Sequence, residues 1–342
     1  MLYTSVFITL FKGTSDAAHN EKPFYRAQLI FKPTLRFPRC HASTIAALPD
    51  GSLMAAWWNG PEEAGKDLVI RASRRAPGQN MWERPWVLVD NPGEPEGVPV
   101  LFVAPGGELW LIYRTGLQFD EMMWMKSADM GHTWGESYVL SREPGWCGRS
   151  RVIQLANGDI FIPILGLRGR KHQNSAFLYS TNRGKSWKRT EEIKTEPRNN
   201  EPAVIQRTDG SLLTFMRPHD PEPEKRFLWR SESVDNGRTW SKPVRTGIRN
   251  PSSAVELLKL DNGHVVLVFN DTQASRSFLY LAVSLDDGRS WSFKRVLEDS
   301  PGRFSYPALS LAADGHIHVS YTFRRTHVKH VEVNEAWIME KP

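Results

Sequence analysis

The sequence predicts an all-β fold, a single propeller of six blades, from two periodic patterns and the near absence of any helical period. The first pattern is the octapeptide Ser233-Val-Asp-Asn-Gly-Arg-Thr-Trp240, which recurs at Ser127–Trp134 and Ser284–Trp291, and at Ser180–Trp187 with Asn in place of Asp. A worn copy ends at Trp82, and the five tryptophans stand 51 to 53 residues apart. The second pattern is a set of turn dipeptides whose glycines are Gly51, Gly107, Gly158, Gly210, Gly263 and Gly315, separated by 51 to 56 residues. A fixed period of this size marks an array of similar supersecondary units.

Each pattern has a local physical reason. In the octapeptide, Asp accepts hydrogen bonds from backbone N–H groups further along the turn, and Gly takes a positive φ at no steric cost. The Trp is expected to bury its indole between neighbouring units. The Asp-Gly, Asn-Gly and Gly-Gly pairs flanked by apolar runs are strong hairpin signals. Six hairpins imply six blades of about four strands. The last blade has no room for a fourth strand after Ile338, so Arg26–Phe31 is expected to supply it and close the ring. The domain reading is an extension over residues 1–24 and one propeller over 25–342.

Composition suits one large domain: 342 residues, 11% aromatic and 24% charged, with 25 Gly and 23 Pro for many turns. The formal net charge is +6 and the pI about 9.3, but no basic run reaches five residues. A scattered excess of this kind points to a small acidic partner rather than to nucleic acid. Cys40 and Cys147 match no zinc or redox spacing and read as free thiols, and the ten His lack ligand spacing with Cys or acids. No metal and no cofactor are therefore expected. The apolar run from Leu2 to Phe11 has no basic segment before it, and no stretch approaches the ~18 apolar residues of a membrane helix. The reading is an intracellular location with no membrane partner; oligomeric state is not legible.

The period also locates a site. In each unit the strand leading into the hairpin turn is expected to line the central channel. Counting about ten residues back from each turn glycine gives His41, Gly97, Gly148, Asn200, Ser253 and Ser305, with Arg149, Arg151, Glu201, Glu256 and Tyr306 beside them. Polar groups converging from several blades on one concave mouth make the default candidate site.

The octapeptide is the Asp-box, or BNR repeat, and nearly the whole chain resembles the sialidases. What that resemblance implies can be carried over residue by residue. Asn200-Glu201-Pro-Ala resembles the segment whose Glu activates a Tyr nucleophile, and Phe304-Ser-Tyr306-Pro resembles the segment carrying that Tyr. Leu213-Thr-Phe-Met-Arg217 and the segment opening at Arg276 match two of the family's three carboxylate-binding arginines. Asp67 is the counterpart of the loop acid/base, with Glu63 as its rival. Arg149, Arg151, Asn200, Ser253 and Tyr321 complete the expected substrate-binding set. Arginine suits a carboxylate through its planar fork. A phenol suits an anionic sugar because a charged nucleophile would be repelled, but it needs a neighbouring carboxylate to take its proton.

One departure stands out. His41, in Cys40-His41-Ala42-Ser43, occupies the place of the first arginine, and Thr322 follows Tyr321 where the family has the Glu that steadies that arginine. Three readings follow. The resemblance favours a hydrolase that releases a terminal acidic sugar through Tyr306, Glu201 and Asp67. A uronate-specific lyase would use His41 and Tyr306 as proton carriers, with Arg217 and Arg276 on the carboxylate. A non-catalytic glycan-binding propeller would stack sugars on exposed aromatics, with Trp57, Trp58 and Trp146 as candidates, although Trp57 and Trp58 read more readily as core.

Overall fold

The structure is a computed structural model that describes residues 21–62, 65–116, 121–142, 146–166 and 174–340. The expected segment near the start of the chain forms β1 (Tyr25–Phe31). Blade 1 is β2 (Arg39–Ala47), β3 (Leu53–Gly60), β4 (Val69–Arg75) and β5 (Trp86–Val89). Blade 2 is β6 (Gly97–Val103), β7 (Leu109–Thr115), β8 (Glu121–Ser127) and β9 (Tyr138–Ser141). Blade 3 has a broken inner strand, β10 (Trp146–Gly148) and β11 (Ile153–Gln154), followed by β12 (Ile160–Gly166), β13 (Ser175–Ser180) and β14 (Lys188–Arg189). Blade 4 is β15 (Asn199–Gln206), β16 (Leu212–Pro218), β17 (Phe227–Ser233) and β18 (Val244–Arg249). Blade 5 is β19 (Glu256–Lys259), β20 (Val265–Phe269), β21 (Leu279–Ser284) and β22 (Phe293–Glu298). Blade 6 is β23 (Phe304–Leu311), β24 (Ile317–Phe323) and β25 (His327–Val333), and a short helix α1 (Glu335–Met339) follows.

The ring closes as the strand count required. β1 pairs antiparallel with β25, from Tyr25 opposite Val333 to Phe31 opposite Val328, so blade 6 is built from both ends of the described chain. Asn334 fastens the closure. Its Oδ1 accepts the N–H of Phe24 and of Trp337, and its Nδ2 donates to the Lys22 carbonyl. Both cysteines are buried free thiols. Among the described residues, no helix is long and apolar enough to cross a membrane.

The Asp-box turns lock the blades sideways. In blade 4, Ser233 Oγ donates to Asp235 Oδ1 at 2.7 Å, and the Thr239 N–H donates to the same carboxylate oxygen at 2.9 Å. The Trp240 indole then stacks on Phe177 of blade 3 with centroids 4.7 Å apart. Gly237 does more than supply a turn. Its φ is +77°, and a Cβ there would lie 2.4 Å from Cε1 of Phe161, also in blade 3. Strain from the left-handed backbone and overpacking add, so Gly237→Ala is expected to destabilise the protein by about 2–4 kcal/mol. Gly247→Ala, which meets nothing within 4 Å, should stay within about 0.5 kcal/mol. The midpoints of chemical denaturation of the two variants check this; equal midpoints would refute it.

Candidate active site

The inner strands carry a repeated irregularity that builds the site. The pairing register slips between His41 and Thr44, Gly97 and Val100, Asn200 and Ala203, and Ser305 and Ala308, in blades 1, 2, 4 and 6. The extra residue at each slip has positive φ although none is glycine: Ala42 +53°, Val98 +51°, Glu201 +49° and Tyr306 +54°. A β-bulge of this kind re-aims a side chain, and a left-handed non-glycine residue costs of the order of 1–3 kcal/mol. The same distortion in four blades turns Glu201 and Tyr306 out of the ladder and towards each other across the channel mouth.

The two groups are in contact. The Tyr306 hydroxyl donates to Glu201 Oε1 at 2.7 Å, while Arg217 Nη1 donates to Glu201 Oε2 at 2.9 Å and lies 3.5 Å from the phenol oxygen. Burial alone would raise the Glu201 carboxyl, but Arg217, Arg149 and the hydrogen bonds of Tyr306 and Arg217 outweigh it and hold it at about 2. Burial, and next the charge of Glu201, push the Tyr306 phenol up to about 12. Arg149 reaches under the phenol ring, its Cζ 4.7 Å from the centroid, and donates to the Pro307 carbonyl at 2.9 Å. Tyr306 is thereby fixed at both its oxygen and its ring face.

Arg217 and Arg276 meet at Ser252, which the sequence reading missed in favour of its neighbour. The Ser252 hydroxyl accepts from Arg217 Nε at 3.2 Å, and the Ser252 carbonyl accepts from Arg276 Nη2 at 2.5 Å. Ser253 is buried, with its backbone N–H on the Asn250 side chain and its own hydroxyl without a partner. Arg303, three residues before Tyr306, was also missed. Arg217, Ser252, Arg276 and Arg303 wall a pocket of about 350 Å³. Burial, and then the charge of Arg217, lower the Arg276 guanidinium to about 10.

His41 and Thr322 explain their joint departure from the family pattern. His41 Nδ1 lies 2.9 Å from Thr322 Oγ1, which also accepts the Ala42 N–H at 3.2 Å. A neutral hydrogen bond occupies the place of an ion pair. The buried imidazole packs on Tyr306 with ring centroids 4.3 Å apart. Burial, and then Arg325, Arg276, Arg149 and Arg303, hold its pKa well below the usual value, so the ring is neutral.

The other expected residues fall into two groups. Asn200 is buried beside Glu201, pairs through its backbone with Arg217, and has a side-chain oxygen without a partner. Asp67 is exposed in the β3–β4 loop, lining a cleft of about 430 Å³ with Arg36, Phe37, Lys66 and Asn91. Leu68, next to it, packs in one apolar cluster with Ala42, Trp58, Val98 and Tyr306, so the cleft adjoins the mouth although no hydrogen bond among the described residues joins Asp67 to Tyr306. Glu63 lies outside the described residues.

Corrections apply to Arg151, Tyr321 and the tryptophans. Arg151 lies in the break between β10 and β11, donates from its side chain to the Leu257 carbonyl at 3.3 Å, and lines a cavity of about 680 Å³ with Gln154, Gln206 and Lys259 at the turn end of the channel. A count in residues misplaced it because the broken strand does not keep step with the other blades. Tyr321 is fully buried between blades 5 and 6, where its hydroxyl donates to Glu298 Oε1 at 2.5 Å. Trp57, Trp58 and Trp146 are all buried, which removes them as stacking platforms.

Among the described residues, one cluster has the donor set of a metal site, His318, His330 and Glu332. Its protons argue otherwise. The Trp82 indole N–H donates to His330 Nδ1 at 3.3 Å, which leaves the neutral ring's proton on Nε2, 3.0 Å from His318 Nδ1. Glu332 is already paired with Arg26 and Arg75 at 2.6 Å each. A cation would have to displace that proton beside two guanidinium groups.

Comparison with known proteins agrees with the architecture. The model of the BNR repeat-like domain matches residues 51–319. A sialidase of Bacteroides fragilis (strain YCH46) is 24% identical over 275 residues, covering 73% of this chain and 49% of that protein. This chain thus spans about half the length of that curated relative. Among solved structures, a Hadza microbial sialidase superposes with a TM-score of 0.75 at 20% identity, covering 88% of this chain and 66% of the other. The intramolecular trans-sialidase of Ruminococcus gnavus in complex with oseltamivir carboxylate superposes with a TM-score of 0.74 at 14% identity, covering 92% and 98%. At these identities the superpositions speak for the fold alone.

Proposed function

Since the chain belongs to the BNR repeat-like domain family of sialidase-like propellers, we propose that it is a glycoside hydrolase that releases a terminal acidic sugar from a glycan. The observation that carries this reading is the 2.7 Å hydrogen bond from the Tyr306 phenol to a Glu201 carboxylate that is held ionised. In the proposed reaction Tyr306 Oη attacks the anomeric carbon as its proton passes to Glu201. The glycosidic bond breaks, and the leaving oxygen takes a proton from Asp67 at the adjoining cleft. Water, deprotonated by Asp67, then attacks the same carbon, the phenol oxygen leaves, and Glu201 returns the proton to it. The wide separation of the two groups, about 12 against about 2, keeps the proton on the phenol until the bond to carbon forms.

Arg217, Arg276 and Arg303 are the candidates to hold the sugar's anionic group. Arg303 supplies from blade 6 the third cation that His41 does not supply from blade 1. Replacing Arg276 by Ala should weaken acidic ligands by roughly 2–4 kcal/mol, the range for losing one partner of a desolvated charge pair. Arg303 is exposed, so Arg303→Ala should cost about 1 kcal/mol. Both changes should raise KM for acidic substrates and spare neutral ligands; equal losses on both would refute the assignment.

His41 supports hydrolysis over elimination. A base must accept a proton, and burial among four arginines opposes an imidazolium there. The test is a product assay on acidic glycans that records reducing sugar and ultraviolet absorbance together. A hydrolase gives reducing sugar alone. An unsaturated product would establish the lyase, and neither product would establish the binding module.

A further inference from the structure

A second cationic pocket lies on the outer side of blade 1 and takes no part in this chemistry. After β1 the chain crosses to β2 through residues 32–38, a crossing pinned by reciprocal backbone hydrogen bonds between Thr34 and Phe37 at 3.1 and 3.2 Å. Beneath it is a cavity of about 410 Å³ whose wall includes Phe31, Lys32, Arg36, Phe37, Arg71 and Arg84. Four of these side chains are cationic, and among the described residues no carboxylate lines the cavity.

The cations are arranged rather than scattered. The Arg71 guanidinium lies over two rings, its Cζ 5.0 Å from the Phe37 centroid and 5.9 Å from that of Phe31, and Arg36 approaches Phe37 to 5.2 Å. Arg71 Nη2 donates to the Pro85 carbonyl at 2.7 Å, while its buried Nε has no partner. Among the described residues none of the four is paired with an acid. Burial, and then Arg84 and Arg36, lower the Arg71 pKa, as expected of like charges held together without a counter-ion. Gathering four cations on a folded surface is unfavourable unless an anion is to share the space.

Its position suggests whose anion. Arg36 and Phe37 also wall the cleft that holds Asp67, the group assigned above to protonate the departing oxygen. We propose that this pocket binds an oxyanion, a sulfate ester or a carboxylate, carried by the part of the glycan beyond the bond that is cut. The choice of a glycan rests on the proposed function; the preference for an oxyanion does not. The site would make the protein select chains that are acidic at more than one residue. Phe37 offers a ring face to the sugar, and the guanidinium forks suit the oxyanion.

The test is calorimetric titration of the full chain carrying Tyr306→Phe, so that turnover does not enter. The probes are a sulfated chondroitin tetrasaccharide, the same tetrasaccharide without sulfate, and neutral chitotetraose. Both acidic probes should bind at least about 10-fold more tightly than the neutral one, and the ratio between them tells sulfate from carboxylate. The double change Arg36→Glu with Arg84→Glu should cut that advantage about 10-fold, and Lys32→Glu should reduce it; all three residues are exposed, and circular dichroism of each variant checks that it folds. Arg276→Ala at the channel mouth should lower the advantage through its own hold on the end sugar, and the double change should cut it again by the same factor in that background. The proposal is overturned if the advantage is unaltered by the double change, if the double change has no effect in the Arg276→Ala background, or if a single-stranded oligonucleotide binds more tightly than the sulfated probe. Absence of any hydrolytic activity in the wild-type chain would count against the proposed function, and these titrations would still decide the pocket.

Discussion

Tyr306→Phe is expected to lower kcat on an acidic glycoside by at least about 10³-fold while leaving stability nearly unchanged, because it removes the nucleophilic oxygen and little else. The ring that packs on Arg149 and His41 is retained. Glu201→Gln should cost about 10²–10⁴ in kcat, the usual worth of a positioned base. It should also destabilise the protein, because Arg217 loses its charged partner at a site that is largely buried. The two changes together should cost little more than Tyr306→Phe alone, since both act on one proton transfer. Steady-state kinetics on the two single variants and the double variant would check this. Independent, multiplicative losses would show that Glu201 acts elsewhere.

A chain that begins at Lys32, and so lacks β1, is expected not to fold cooperatively. It loses the burial of Ile30 and Phe31, each worth about 1.5–3 kcal/mol. It loses the β1–β25 ladder and the Arg26–Glu332 ion pair at 2.6 Å. The bonds of Asn334 to the Phe24 N–H and the Lys22 carbonyl go as well. Summed over about six paired residues at about 0.5–1.5 kcal/mol per hydrogen bond, the loss reaches the ~5–15 kcal/mol that a typical protein has in total. Near-ultraviolet circular dichroism during heating would show no sigmoidal transition. A truncated chain that melts cooperatively within a few degrees of the full one would contradict the closure.

The fold was legible because it repeats. Six turn glycines and five tryptophans at one spacing report six copies of the same packing problem, and even the segment that closes the ring followed from the strand missing after Ile338. The role of the Asp-box glycine was only half legible. Its turn could be read locally, but its contact with the preceding blade is a distance between residues 76 positions apart, Phe161 and Gly237.

The candidate site divides along the same line. Residues at the repeated bulge, Glu201 and Tyr306, stand at a fixed offset from a turn, so counting finds them. Arg151 was misplaced where the period fails, at the broken inner strand of blade 3, and Ser253 by one residue where blade 5 takes its left-handed turn at Ser252, with φ +55°. Tyr321 belongs to the ladder of β24, where alternate side chains turn into the space between blades. Arg303 lies in a loop without periodic meaning, so nothing in the sequence marks it. His41 and Thr322 could be seen to depart from the pattern together, yet that they bond to each other, 281 residues apart, is a property of ring closure.

The most direct measurement of the central claim is a search for the covalent intermediate. The protein would be incubated with an acidic glycosyl fluoride that carries a further fluorine beside the anomeric carbon, which slows release of the glycosyl group more than its capture. Digestion and mass spectrometry should then find the added sugar mass on the peptide containing Tyr306, at the phenol oxygen, and on no other peptide. The label should be absent from Tyr306→Phe and greatly slowed in Glu201→Gln. Turnover of the substrate with the label on Glu201 or Asp67, or turnover with no labelled peptide at all, would contradict it.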